Sequence, residues 1–457
     1  MKQKSLIAFV AALVWLTPAM AATVHEYALD NGMKILIKED HRAPVVVSQV
    51  WYGVGSAYEP MGTTGMSHVL EHMMFKGTEK HGPGEFSRVI AAHGGQENAF
   101  TSRDYTAYYQ QLEKSRLPIS FEMEADRMRN LRLTAEEFAK EVNVVMEERR
   151  LRVEDDPQSI AVEQFFATAF VNNPYRIPVI GWMEDLQQMT VEDLRHWYQT
   201  WYAPNNATLV VVGDVEPKEV LELAKKYYGP LKPSNVPPVK SRPEIKQRGT
   251  KRITVKVPAE LPFVIMGYHV PTLKTAAEDW EPYALEVLSA VLDDGDSARF
   301  ANELIRGQQI AASADAGYSL YSRFSNTFTL DGVPTPGHTI AELEQALRDQ
   351  VKKIQDAPPS ADELARVKAQ VVARDVYERD SVFYQAMRLG SLTTMGLDWK
   401  VLDEYVDRIR AITPEQVQQV AQKYLTDDQL TIAILEPLPL SQMASVPQRS
   451  TGGAHVH

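Results

Sequence analysis

Hydrophobic positions along this 457-residue chain fall into two kinds of run. Short, nearly continuous apolar stretches rich in Val, Ile and aromatic residues lie at 33–37, 45–51, 106–110, 253–257 and 263–269. Their length and β-branched content predict strands. Longer stretches, with apolar residues recurring every three or four positions, lie at 66–75, 84–92, 119–130, 135–153, 280–292, 339–356 and 361–378 and predict helices. Strand pairs mixed with long helices, in both halves of the chain, point to an α+β fold with helices packed on a largely antiparallel sheet.

The two halves echo each other. Residues 190–212 read TVEDLRHWYQTWYAPNNATLVVV, and residues 413–435 read TPEQVQQVAQKYLTDDQLTIAIL, without a gap and at an offset of 223. Each begins with a Thr suited to a helix N-cap, runs through an amphipathic helix to a polar turn, and ends in an apolar strand. The expectation is an internal duplication. Between the copies, Pro230, Pro233, Pro237, Pro238 and Pro243 crowd a stretch rich in Lys, Ser and Asn. Such a stretch holds neither a helix nor a central strand. The expected division is 22–228, a Pro-rich linker at 229–249, and 250–440, with a disordered tail at 441–457.

The first 21 residues follow a different logic. Lys2 and Lys4 precede an apolar run at 6–16, Pro18 interrupts it, and Ala19-Met20-Ala21 offers small residues for cleavage. This is the pattern of a secretory signal peptide, and its apolar core is too short to span a bilayer. The expectation is a periplasmic or secreted protein whose mature chain does not insert into membrane.

Composition then narrows the chemistry. The formal charge is −12, from 48 Lys and Arg against 60 Asp and Glu, which disfavours a nucleic-acid partner. There is no cysteine. Thiol catalysis, disulfides and thiolate metal sites are therefore excluded, and any metal must be held by His, Asp or Glu.

One stretch has the residues for that. In Gly65-Met-Ser-His68-Val-Leu-Glu71-His72, the two histidines are four apart and share one face of a helix. That spacing suits two ligands on one zinc ion, with Glu71 beside them as a base for metal-activated water. A polar surface helix is the plain alternative. The apolar neighbours Val69, Leu70, Met73, Met74 and Phe75 argue against it, because burying these polar groups requires partners. A further ligand is needed, and the helix at 135–153 offers Glu141, Glu147 and Glu148. Glu141 and Glu148 are seven apart on one face. Helical geometry favours Glu148 over Glu147 only slightly, and Arg149, Arg150 and Arg152 offer these acids ordinary ion pairs.

His68-x-x-Glu71-His72, with Glu148 inside Glu141-x6-Glu148, resembles the pitrilysin (insulysin-like) family of zinc metallopeptidases, the inverzincins. The chain is similar to its short-chain branch, which resembles the mitochondrial processing peptidase subunits. The resemblance implies two duplicated metallopeptidase-like domains, with one Zn2+ on His68, His72 and Glu148. It further implies Glu71 as general base, Glu141 as a supporting acid, and hydrolysis of peptides or unfolded segments in a chamber. It also implies that Asn98, Ala99, Phe100 and Thr101 form an edge strand to which a peptide substrate adds. An Arg and a Tyr seven residues apart are expected to reach the substrate from the C-terminal half. Arg306 occupies the first position, but Ser313 stands at the second, with Tyr318 and Tyr321 nearby. The C-terminal half lacks a second His-x-x-Glu-His and reads as a catalytically silent copy. The expected assembly is a homodimer, or a heterodimer with a paralogous non-catalytic subunit. The competing function is a non-catalytic structural or peptide-binding subunit.

The N-terminal reading predicts cleavage within residues 19–23 on export. N-terminal sequencing of the exported protein checks it. Membrane-bound protein that retains Met1 is the contrary outcome.

Overall fold

The structure, a computed structural model, describes residues 23–442. The signal segment and nearly all of the expected tail lie outside the described residues. The strands are β1 (Val24–Ala28), β2 (Lys34–Glu39), β3 (Val45–Tyr52), β4 (Gln96–Thr101), β5 (Thr106–Glu113) and β6 (Ala207–Gly213), then β7 (Lys251–Pro258), β8 (Phe263–Val270), β9 (Ala311–Gly317), β10 (Asn326–Pro334) and β11 (Leu430–Leu438). They form two sheets, ordered β1-β2-β6-β3-β5-β4 and β7-β11-β8-β10-β9. In each sheet one pair is parallel, β2 with β6 and β7 with β11, and the remaining pairs are antiparallel.

The duplication is visible rung by rung. Leu209 faces Val50, Val50 faces Tyr108 and Tyr108 faces Ala99 in the first sheet. Ile432 faces Met266, Met266 faces Leu330 and Leu330 faces Ala316 in the second. Leu209 and Ile432 are the partners aligned by the sequence repeat. The preceding helices, Val191–Trp201 and Pro414–Tyr424, both start in reciprocal capping boxes, of Thr190 with Asp193 and Thr413 with Gln416. The α+β class and the doubled architecture are both present.

Each sheet is apolar on both faces. On one face of the first, Ile35, Val50, Tyr52 and Leu209 pack under the helix Met66–Met73 through Val69, Leu70 and Met73. Its other face, with Leu36, Val47, Trp51 and Val210, is covered by Ala386 and Leu389 of Val382–Met395, a helix of the second half. The second sheet is treated reciprocally. Val255, Phe263, Ile265 and Leu435 are covered by Ala161, Phe165 and Ala169 of Pro157–Ala169, a helix of the first half. Core contacts therefore join the segments on either side of 229–249. That stretch carries no helix or strand, but it is fastened. The Glu244 carboxylate accepts the backbone N–H groups of Val171, Asn172 and Asn173 at 2.9, 3.1 and 2.8 Å.

The exchange is tight. A Cβ on Gly390 would lie 2.1 Å from the Trp51 indole, and one on Gly267 would lie 2.4 Å from the Phe165 ring. Both glycines let an aromatic ring from the other half seat against backbone. Overpacking of this kind costs about 1–3 kcal/mol. Gly390→Ala and Gly267→Ala are each expected to lower stability by that amount, read as a reduced thermal midpoint by circular dichroism. Unchanged midpoints in both variants would mean the exchange is loosely packed.

Candidate metal centre

The helix Met66–Met73 starts at Gly65, whose φ of 91° is left-handed and suits glycine. The buried Glu59 carboxylate accepts from the N–H of Gly65 and of Ser67, both at 2.7 Å, and so caps the first turn. Burial pushes the Glu59 pKa up to about 7, against the pull of those two N–H donors. This capping acid was not read from the sequence. It stands six residues before the cap residue Gly65, outside the usual capping pattern.

Packing that helix against Ala135–Arg149 brings together three donors from two elements. His68 Nε2 lies 3.7 Å from Glu148 Oε1, and His72 Nε2 lies 3.4 Å from Glu148 Oε2. One donor atom from each of His68, His72 and Glu148 falls within 4.8 Å of the others. Tetrahedral ligands about 2 Å from one zinc ion stand roughly 3.3 Å apart, so this His2Glu set fits that ion. Among the described residues it is the one such grouping of His, Asp and Glu, and it lies in the first half. Glu147 points elsewhere, to Arg150 at 2.6 Å in solvent. Glu141 Oε2 approaches His72 Nδ1 at 3.5 Å, and its other oxygen meets Lys76 Nζ at 2.7 Å. This is the arrangement of a carboxylate that orients a ligating imidazole. The α-helix ends at Arg149, and a π-helical turn spans Arg150–Glu154. Arg152 on that turn reaches Glu148 Oε1 at 2.7 Å.

The charges of this cluster are mutually dependent. Burial, then the neighbouring His72 charge, hold the His68 pKa down at about 4. Burial also works against charge on His72, but the carboxylates of Glu141 and Glu148 override it and push its pKa up to about 9. Glu148 is held low, first by its bond to His72. Burial raises Glu71, and the Thr101 hydroxyl, donating to Glu71 Oε2 at 2.6 Å, only partly offsets that.

The cluster opens into a cleft of about 820 Å³. Asn98, Ala99, Phe100 and Thr101 line it together with His68, Glu71, His72 and Glu148. All four belong to β4, which pairs only with β5 and so leaves one backbone edge free of strands. Thr101 differs from the expectation, because its hydroxyl is committed to Glu71. Arg306 is not brought to the cleft. It is exposed, and its guanidinium folds back onto the Asp296 carbonyl and the Asn302 side chain. Ser313 sits on β9 opposite Val333, and the Tyr318 hydroxyl donates to the Pro271 carbonyl at 2.8 Å. Tyr318 and Tyr321 both pack against the core of the second half. Among the described residues the cleft is lined by the first half alone.

Comparison with known proteins agrees with this asymmetry. Residues 34–181 match the insulinase family, peptidase family M16, and residues 188–371 match the peptidase M16 inactive domain. The chain is 30% identical over 413 residues to the zinc protease PqqE of Helicobacter pylori, covering 90% of this chain and 92% of that one. This chain belongs to peptidase family M16. It is also 24% identical over 420 residues to a probable mitochondrial-processing peptidase subunit beta of Arabidopsis thaliana, over 90% of this chain and 78% of that one. The crystal structure of a protease from Helicobacter pylori matches the fold with a TM-score of 0.87 at 30% identity, covering 91% of this chain and all of that one. M16 relatives are named zinc proteases, in keeping with the donor set found here.

The geometry separates the acids of one helix. Glu148→Gln is expected to weaken zinc binding by more than about 100-fold. Glu141→Gln should weaken it by about 10- to 100-fold, as for outer partners of a ligand, and Glu147→Gln by less than twofold. Competition titration against a chelating dye measures all three. Equal losses for Glu147→Gln and Glu148→Gln would show that the third ligand is misassigned.

Proposed function

We propose that this chain is an exported zinc endopeptidase that cleaves peptides or unfolded segments. The observation that carries the reading is the convergence of His68, His72 and Glu148 beside Glu71, at the free edge of β4. When bound, zinc would acidify water and polarise a carbonyl there. The remaining work falls to the chain's own groups. Thr101 fixes Glu71 through Oε2, which leaves Oε1 to take a proton from the attacking water and return it to the leaving amine. Burial raises the Glu71 pKa above the ordinary carboxylate range, the direction that suits a group that must both accept and release a proton. A substrate strand adding to β4 would be held mainly by main-chain hydrogen bonds, so many sequences would be accepted. Glu141 orients His72, and its bonds to His72 and then to Lys76 hold its own pKa low against burial.

Among the described residues none of the second half lines the cleft, and we propose that a second chain supplies an opposing wall. A homodimer, or a heterodimer with a silent paralogue, would supply it. The signal pattern at 1–21 supports export to the periplasm or beyond, and among the described residues no helix is long and apolar enough to cross a membrane.

Glu71→Gln is expected to retain zinc while turnover of a quenched peptide falls by about 10²–10⁴-fold. Metal analysis and initial rates on the same preparation test both halves of the statement. Undiminished turnover in zinc-loaded Glu71→Gln protein would remove the proposed mechanism and leave a binding subunit as the better reading.

A further inference from the structure

Most charges that line the cleft are already paired. Glu148 holds Arg152, Glu163 holds Arg149 at 2.8 Å, Glu71 accepts from Thr101, and Arg176 donates to the Val171 carbonyl at 3.1 Å. Arg103 is the exception. It lines the same cleft, in the turn that follows β4, and is half-buried. Its guanidinium carbon stands 4.4 Å from the centre of the Phe166 ring and 5.4 Å from that of Tyr175. Among the described residues no side chain or carbonyl accepts a hydrogen bond from it, and burial works against its charge. Its chain neighbour Asp104 is engaged by the Tyr175 hydroxyl and the N–H of Arg323.

The position is also rigid. The Ser102 and Arg103 carbonyls accept from Ser56 and Ala57 at 3.1 and 2.9 Å, which ties the turn to the loop after β3. Aromatic rings beside a guanidinium satisfy its charge in part but are no substitute for hydrogen-bond acceptors. A half-buried cation held beside two aromatic rings, with its N–H donors free and open to the cleft, is organised to receive a carboxylate.

We propose that Arg103 is a specificity-determining residue that binds a carboxylate of the peptide in the cleft, borne by an Asp or Glu side chain near the scissile bond or by the peptide's C-terminus. The proposal rests on the peptidase reading above and names a substrate class for it. A charge-assisted hydrogen bond in such a site gives about 10- to 100-fold discrimination over the neutral amide.

The test uses the zinc-loaded mature protein and quenched peptides that place Glu, Gln or Lys at each position around the scissile bond, with a further pair ending in a free carboxylate or an amide. The wild type is expected to prefer Glu over Gln at one position, or the free carboxylate over the amide, by about 10- to 100-fold in kcat/KM. The two arms distinguish the sources. Arg103→Gln should bring that ratio close to one, Arg103→Lys should keep part of it, and Arg103→Glu should turn the preference toward Lys. If Arg103 only clamps Phe166 and Tyr175, its variants will lower the melting temperature and leave the ratio unchanged, which overturns the proposal. A wild-type ratio near one in every arm overturns it as well. Should Arg103→Gln fail to fold, the ratio in Arg103→Lys decides. The same peptides titrated onto Glu71→Gln protein by fluorescence anisotropy read Arg103 without turnover. Acid-selective binding without any wild-type cleavage would support Arg103 and remove the peptidase reading. Equal affinity for Glu and Gln peptides would remove Arg103 and leave that reading intact.

Discussion

A sheet that is apolar on both faces must be covered on both, and most of this structure follows from that requirement. In the first sheet β6 is buried at every residue, so the strand has no solvent side. One face is closed by helices of its own half, which carry the donor residues. The other is closed by a helix of the second half, and the debt is returned through Pro157–Ala169. Burying a large side chain such as Phe165 or Leu389 contributes about 1.5–3 kcal/mol. The two halves are therefore fastened to each other by core contacts, and the cleft is left at the lateral edge, where β4 has no outer neighbour.

The metal centre draws on the same packing. His68 and His72 share a face because of helical periodicity, but their distance to Glu148 depends on how two helices seat against each other. Gly65, Glu59 and the close approach of the Ile180 carbonyl, 2.8 Å from where a Cβ on Gly65 would sit, set the start and the depth of the first helix. Two imidazoles and three carboxylates in a partly buried cluster repel or attract according to protonation. The carboxylates of Glu141 and Glu148 raise the His72 pKa against burial, so metal binding by the same donors would be linked to proton release.

The silent half shows what divergence did to the same frame. Ala316 stands on the rung equivalent to Ala99. Its N–H meets the Asp293 carboxylate at 3.3 Å, and its carbonyl accepts from the Ser289 hydroxyl at 3.0 Å. Side chains from the end of the helix Glu281–Leu292 thus engage the backbone of β9, whereas among the described residues the Ala99 N–H meets the adjacent Asn98 side chain at 2.8 Å. The two edges share a ladder and differ in what engages their backbone groups.

Local patterns in the sequence determined the parts of this protein that depend on a few adjacent residues. These are the α+β class, the repeat at an offset of 223, and the helix that presents His68, Glu71 and His72 on one side. Periodicity and capping are short-range effects, so they are written within a single element. The helices Pro157–Ala169 and Val382–Met395 were not read in advance. Each covers a sheet of the other half and touches its own half as well, so neither shows the single apolar stripe by which an amphipathic helix is recognised. The choice of Glu148 over Glu147, the bond from Thr101 to Glu71, the cap from Glu59 and the unpaired Arg103 all join residues from different elements. The folding of Arg306 away from the cleft has the same origin. Such relations are set by which faces are buried against each other, and only the tertiary structure decides that.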